Sequence, residues 1–484
     1  MQTKHSFNYW QWRVIISTMI GYSIFYFVRK NFSFAIPALT AEYGITKASF
    51  GIIMTLVGLI YGLSKLLNGM LADRMNARWH MTLGLLGCVV LNFIFGWGAS
   101  ISTMITGTTA GASFVNTMVV LFAVLLVLNN IFQGAGFPPC NRLITHWVPP
   151  KELATKMSIW NVSHSLGGSL VAILCGSIIA TMGVNMSGNA EVVNRIANNL
   201  FSKSADSLAA EELEVVTQYA SHVGSWQMVF WIPALIGVIG VIFIFLSIRD
   251  TPKSVGLEEL KGTETVLDKD DSKEAYRAFV KKMVWKNPLI WTLAIADFFV
   301  YIIRGIVFDW GPTFLTEAHF LDPQQAGYAI SAFEVAGIFG ILTSGWISDK
   351  LFGGKAQRVC AIYMGATAVF AGLFFLLPSG SSSTMITILV GGIGFFLYGP
   401  QALLGVVAAN HATKKAASTA LGVIGFTSYL STIVSGAMIG FFLQKNIFDW
   451  SNVFLFMFAI ALVGTIIMAS LWKLKGDGYQ NSKE

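Results

Sequence analysis

Apolar residues in this chain come in long unbroken runs, separated by short polar stretches, from one end to the other. A helix rises 1.5 Å per residue, so about 20 apolar residues cross a hydrocarbon core roughly 30 Å thick. Runs of that length lie near 12–38, 49–72, 79–99, 117–139, 154–182, 226–248, 288–316, 325–347, 358–378, 384–410, 415–444 and 450–473. They predict an all-α membrane protein with twelve transmembrane helices.

Two longer polar segments divide the pattern. One, 249–287, carries both charge signs (DKDDSKEAYR at 268–277) and reads as a cytoplasmic linker with room for a short surface helix. It separates an amino-terminal six-helix bundle, 1–248, from a carboxy-terminal one, 288–484. The other, 183–225, lies between the fifth and sixth runs, is mildly acidic and is compatible with a small helical hairpin. No chemistry is assigned to it.

The halves repeat each other. GMLADRMNAR follows the second run, with Gly69, Asp73 and Arg74; GWISDKLFGGKAQR follows the eighth, with Gly345, Asp349 and Lys350. YFVRKNF in the first run and YIIRGIVFDW in the seventh carry Arg29 and Arg304 at nearly the same spacing. Two markers with one offset predict two pseudo-symmetric bundles. Proline turns are also expected in runs four and ten, at GFPPC (136–140) and YGPQ (398–401).

Composition agrees with the pattern. The chain is 54% hydrophobic and 12% charged, about half the charge of a soluble protein. A net charge of +7 could suggest a nucleic-acid partner. With both termini cytoplasmic, however, most lysines and arginines fall in cytoplasmic loops, and the outer loops near 100–116, 317–325 and 378–384 contain none. Positive-inside bias therefore accounts for the basic balance without nucleic acid. Four cysteines sit in or beside apolar runs without metal or disulfide spacing and read as small buried hydrophobes. The short polar amino terminus precedes a run long enough to be retained, so no cleaved signal peptide is expected.

Charges inside the runs narrow the chemistry. Arg29, Lys30, Lys65 and Arg304 lie within apolar spans, where an ionised side chain is costly unless it faces a cavity or a partner. Two guanidinium forks facing one aqueous cavity would repel, and a dianionic phosphate would relieve that repulsion through charge-assisted hydrogen bonds. The competing assignment is neutralisation by protein carboxylates. For Arg304 the candidates are Asp297, Asp309 and Glu334, whereas the first run contains no acid. Lys30 points away from Arg29 and is expected to pair structurally or snorkel. Lys65 has Tyr61 on its face of the helix. His164, in WNVSHSLGG, precedes glycines that permit close helix approach and could strengthen anion binding when protonated. Tyr22, Tyr26 and Tyr301 supply hydroxyls near the arginines, while Tyr398 and Tyr429 suit packing or an interface equally well. There is no nucleophile–base pair, nucleotide loop or metal-spaced cluster, so neither enzymatic chemistry nor a cofactor is expected.

Six plus six spans and the Gly…Asp-Arg/Lys loops resemble the major facilitator fold. GYSIFYFVRKNFSFAIPAL (21–39), YGLSKLLNGMLADRMNARW (61–79), GFPPCNRLITHW (136–147), WNVSHSLGG (160–168), IIRGIVFDWGPTFL (302–315) and YGPQALLGV…KKAASTALG (398–422) more specifically resemble the organophosphate:inorganic phosphate antiporter family. The resemblance implies exchange of a phosphorylated sugar for inorganic phosphate by alternating access. It makes Arg29 and Arg304 the phosphate-binding arginines, and it places Lys65, His164, Tyr22, Tyr26, Tyr61, Tyr301, Asn161 and Tyr429 along the cavity. It also gives conformational roles to Asp73, Arg74, Asp349, Lys350 and Glu334. Hexose 6-phosphate is the expected substrate, with glucose 6-phosphate foremost. A glycerol 3-phosphate exchanger and a hexose-phosphate sensor acting on a membrane kinase are the alternatives. Leu421 and Ile424 replace an ion pair of the main hexose-phosphate carriers, which brings the chain closer to the sensor and to glucose 6-phosphate carriers. A proton-coupled symporter, in which an acid near Arg304 does the work, is the third reading. A monomer in a bacterial inner membrane is expected.

Overall fold

Long apolar runs leave the backbone only its own hydrogen bonds to use in lipid, and helices result. The structure, a computed structural model, describes residues 6–72, 75–258 and 273–474. Among these the only β pairing is one isolated antiparallel bridge between Val184 and Val223. The first ten helices are α1 (Phe7–Tyr43), α2 (Lys47–Ala72), α3 (Ala77–Gly96), α4 (Gly98–Thr106), α5 (Ala112–Gln133), α6 (Phe137–Trp147), α7 (Pro150–Thr181), α8 (Ala190–Phe201), α9 (Ala210–Ser221) and α10 (Ser225–Ser247). They are followed by α11 (Lys273–Val280), α12 (Pro288–Asp309), α13 (Gly311–His319), α14 (Pro323–Leu351), α15 (Ala356–Phe375), α16 (Ser383–His411), α17 (Thr413–Leu430), α18 (Ile439–Gln444) and α19 (Trp450–Ser470).

Eleven helical segments among the described residues are long and apolar enough to cross a membrane. The twelfth span is α1, 37 residues long, whose polar residues include Arg13, Arg29, Lys30, Glu42 and four tyrosines. Side chains such as Ile239 and Ile466 lie largely exposed on these helices, as lipid-facing positions do.

The chain packs as two compact units: Met1–Glu264 with Asp309–Ser331, and Thr265–Phe308 with Ala332–Glu484. In the first unit α1 is the hub, touching α3, α5, α6, α7, α8, α9, α10 and α13. In the second, α15 packs between α16 and α19.

Several boundaries differ from the expected ones. The fourth span does not end at 139: it breaks over Gly134–Gly136, and a new helix, α6, runs on to Trp147 with prolines in its first turn, where a missing N–H costs nothing. The expected proline turn in run ten is absent, because Pro400 lies inside continuous α16. Run 288–316 is two helices, broken at Trp310 between α12 and α13. The segment 183–225 does form a helical hairpin, α8 and α9. In the linker, a short 3-10 turn (Pro252–Val255) and α11 are helical.

Candidate binding site

Arg29 is set by the way α1 is held. Buried amides from neighbouring helices reach the α1 backbone beside it: Asn92 and Asn129 each donate to the Val28 carbonyl (3.0 and 2.9 Å), and Gln133 donates to the Phe25 carbonyl at 3.1 Å. Asn31 donates in turn to Asn92 at 2.8 Å. Polar amides buried among apolar helices are worth their desolvation only when so paired. The guanidinium then lies over the Tyr61 ring, 3.6 Å from its centroid, with the Tyr26 ring at 5.6 Å. Tyr61, expected beside Lys65, is thus the platform for Arg29.

α7 is pressed onto the same stretch of α1. A Cβ at Gly167 would come within 2.6 Å of the Ser23 carbonyl, so the close approach needs glycine. Ser23 Oγ donates to the Ser163 carbonyl at 2.8 Å, and Trp160 Nε1 donates to Thr18 Oγ1 at 3.1 Å. This register brings the half-buried His164 to 6.5 Å from Tyr26, ring to ring, with its Nδ1 bonded to the Asn161 carbonyl. The Asn161 residue itself is exposed.

Lys65 Nζ lies 4.4 Å from the Phe137 ring centroid. Phe137 stands at the start of α6 and packs against Tyr22 (6.2 Å) and Trp160 (5.7 Å). The helix break at Gly134–Gly136 therefore places the aromatic ring that supports a cation, an interaction worth about 0.5–2 kcal/mol depending on solvation. Neither Phe137 nor Trp160 stood out in the sequence, where a ring in an apolar run looks like core.

In the second unit Arg304 has a different setting. Its Nε donates to the Tyr398 hydroxyl at 3.1 Å, and that hydroxyl donates to Glu334 Oε1 at 2.5 Å. Arg304 Nη2 lies 3.6 Å from the same Glu334 oxygen, and Glu334 and Tyr398 are both fully buried. Helix packing places this group: a Cβ at Gly340 of α14 would fall 1.8 Å from the Phe395 carbonyl of α16. Tyr301 and Tyr429 meet edge to face at 6.0 Å, with Arg304 6.0 Å from the Tyr301 ring.

The three acids considered for Arg304 go to three partners. Glu334 pairs with it, Asp309 lies in the first unit with Lys30 at 2.6 Å, and Asp297 bonds to the Ser428 hydroxyl. Tyr398, expected only to pack or face an interface, links the arginine to its acid.

Asp349 and Lys350 are exposed near the end of α14. Asp73 and Arg74 lie outside the described residues. Beside them, Arg142 donates to the carbonyls of Ala72 (2.8 Å) and Met75 and reaches Asp250 at 3.3 Å. Asp250 accepts from the Ala77 N–H at 2.7 Å, at the start of α3. The sequence offered Arg142 only as a cytoplasmic charge.

The sequence pattern of the Major Facilitator Superfamily matches residues 18–197 and 215–436. The chain belongs to that superfamily. Within it the organophosphate:phosphate antiporter family is the one it falls in, by its similarity to several curated members. It is 32% identical to a glycerol-3-phosphate transporter of Bacillus subtilis (strain 168), over 95% of this chain and 92% of the other. It is 31% identical to a probable hexose phosphate transport protein of Chlamydia pneumoniae, over 97% and 92%. It is 28% identical to the membrane sensor protein UhpC of Escherichia coli (strain K12), over 96% and 92%. Among solved structures, it resembles a bacterial homologue of the human lysosomal transporter Spinster, with a TM-score of 0.65, 17% identity and 95% of each chain covered. A D-xylose–proton symporter gives 0.64 at 12% identity, covering 97% of this chain and 98% of the other. These likenesses carry the fold alone. The superfamily is one of integral membrane transporters, not enzymes.

Proposed function

We propose that this superfamily member exchanges a phosphate ester for inorganic phosphate by alternating access, with a hexose 6-phosphate, foremost glucose 6-phosphate, as the organic substrate. Both termini are cytoplasmic in this reading, and the hairpin 183–225 is outside. The observation that carries it is a pair of arginines at equivalent positions of the repeat, Arg29 beside Tyr61 and Lys65 in one unit and Arg304 beside Tyr398 in the other. The relatives named for glycerol 3-phosphate and hexose phosphate transport support the substrate class.

Arg29, Arg304, Lys65 and His164 bind the phosphoryl group, and Tyr22, Tyr26, Tyr61, Tyr301, Tyr429 and Asn161 shape the space around it. Arg304 is not a bare charge, since Glu334 faces it at 3.6 Å. A phosphate dianion competes with that carboxylate for the guanidinium, and this competition gives the ligand a differential affinity for two conformations, as any coupled transition requires. Glu334 is then the conformational partner of Arg304, and the Asp73–Arg74 and Asp349–Lys350 loops latch the cytoplasmic face.

A sensor is the second reading, favoured by Leu421 and Ile424 in place of an ion pair and by the similarity to a membrane sensor protein. Reconstituted liposomes separate them. Glucose 6-phosphate, glycerol 3-phosphate or phosphate is offered outside, with and without phosphate inside. Exchange predicts uptake that requires internal phosphate, and uptake indifferent to it rules the antiport out. Binding of glucose 6-phosphate without any uptake points to the sensor.

A further inference from the structure

Three arginines gather where α1 and α3 begin and α10 ends, about four turns of α1 away from Arg29. The end of α10 places all three. Arg249 Nη1 donates to the carbonyls of Leu246 and Ile248, both at 2.9 Å. Arg13 Nη2 reaches the same Leu246 oxygen at 3.4 Å, and its Nε donates to the Ser247 carbonyl at 3.3 Å. Arg13 and Arg249 also share the Trp10 ring, at 4.8 and 5.9 Å from its centroid. The Arg78 guanidinium, at the start of α3, lies 4.8 Å from the centroid of the Phe245 ring. Two of the backbones are pinned as well: Trp147 Nε1 donates to the Arg249 carbonyl at 3.0 Å, and Thr82 Oγ1 to the Arg78 carbonyl at 2.7 Å.

Capping of α10 accounts for only part of this cluster. A helix C-terminus carries the equivalent of about half a negative charge, against three full positive ones. Asp250, the next residue in the chain, is spent on Arg142 at 3.3 Å and on the Ala77 N–H at 2.7 Å. The ion pairs among the described residues include none of the three arginines. Burial, and then the charges of Arg13 and Arg78, lower the pKa of the Arg249 guanidinium, so the cluster stores repulsion that an anion would relieve.

The surroundings are those of a bilayer interface. Trp79 packs edge to face on Phe245 at 4.9 Å, and both Trp79 and Tyr9 are exposed. Tryptophan and tyrosine collect at head-group level. From Trp79 the exposed Leu83 and Leu86 follow along α3, and from Leu246 the exposed Ile242 and Ile239 run back along α10. Steps of four and three keep each set on one helix face. Free phosphate would use only the charges; a ligand with an anionic head and apolar chains would use both features.

We propose that Arg13, Arg78 and Arg249 form a binding site for the phosphate of an anionic phospholipid, whose acyl chains lie along α3 and α10. In the orientation given above this is the cytoplasmic leaflet; the binding itself does not depend on what the protein transports. Basic pockets between spanning helices suit acidic head groups, and each cation near the membrane surface strengthens binding about fivefold.

Native mass spectrometry of the delipidated full-length protein, titrated with phosphatidylglycerol or phosphatidylcholine, counts the lipids bound. Phosphatidylglycerol should bind more tightly. Arg78→Gln, which leaves the carbonyls of α10 capped, should weaken its first binding step about fivefold, and Arg13→Gln should do the same. Arg78→Lys keeps the charge and should bind nearly as the parent does. Arg358→Gln releases an arginine of the second unit from the Trp472 carbonyl and should leave that step unchanged. Equal binding of the two lipids, or parent-like binding by Arg78→Gln and Arg13→Gln, would overturn the site. An equal loss in Arg358→Gln would also overturn it, because charge anywhere on the protein would then suffice. An excess of inorganic phosphate should not displace the lipid; displacement would make the cluster a site for free anions and sink the lipid assignment.

Discussion

Lys30 Nζ and Asp309 Oδ1, 279 positions apart in the chain, lie 2.6 Å from each other within the first unit. Lys30 directly follows Arg29, and Asp309 is five residues beyond Arg304, so two charges next to the candidate anion-binding arginines neutralise one another. Ser33 also approaches Asp309, at 3.4 Å. The pair neutralises the charges next to Arg29 and Arg304, while Glu334 remains the carboxylate that faces Arg304.

Breaking that pair should destabilise more than deleting it. Lys30→Met or Asp309→Leu alone strands a partly buried charge, at a cost of about 1–4 kcal/mol, whereas the double variant returns most of it. Apparent melting temperatures of the four proteins in detergent close the cycle. Additive losses would mean that the two side chains act independently.

The Tyr61 ring carries Arg29, so losing the ring should cost more than losing the hydroxyl. Tyr61→Phe keeps the platform, and Tyr61→Leu removes it, weakening phosphate binding by roughly 1–2 kcal/mol, about tenfold. Calorimetric titration with inorganic phosphate measures both variants, and equal affinities would assign Arg29 another support.

Tyr398→Phe deletes the hydroxyl between Arg304 and Glu334. The buried Glu334 carboxylate loses a donor, and stability should fall by about 1–3 kcal/mol. Glu334→Gln removes the competing negative charge as well, so phosphate should bind more tightly while exchange slows. Unchanged phosphate affinity in Glu334→Gln would remove the competition between carboxylate and ligand.

Gly340→Ala tests the helix crossing that places this group. Its Cβ would fall 1.8 Å from the Phe395 carbonyl, a backbone atom that cannot swing aside. Severe loss of folded protein, seen by size exclusion, is the expected result.

Burial depresses the His319 imidazole at the end of α13 to about 4, so this histidine is neutral in the folded protein near pH 7. Below about 6.5 the unfolded chain takes up a proton that the folded one refuses, and stability falls between pH 6.5 and 4. The loss should reach about 1–3 kcal/mol, and His319→Gln should remove that share of the acid sensitivity. Melting curves of both proteins across this range decide it; parallel curves would mean that His319 does not contribute.

Much of the architecture was legible in the residues because lipid makes a strict demand. A span must be apolar for about 20 residues, and that length, the charged linker and the repeat of Arg29 in Arg304 can be read without any contact. The same demand made an arginine or lysine inside a span conspicuous. Partners were not legible. Glu334, Asp297 and Asp309 all lay within plausible reach of Arg304, and only the crossing of α14 and α16 at Gly340 brought Glu334 and Tyr398 to it while Asp309 went to Lys30. Tyr61 and Phe137 were aromatic residues in apolar runs, and their roles as cation platforms arise from helices far apart in sequence. The proline of run ten misled for a related reason: YGPQ has the composition of a turn, but packing holds α16 helical through Pro400. Sequence alone therefore determined that this is a membrane protein of repeated apolar spans with Arg29 and Arg304 at matching positions deep in two of them, because hydrophobic length and repeats are local properties. Which groups face those arginines was decided by tertiary structure, because pairing depends on where helices cross.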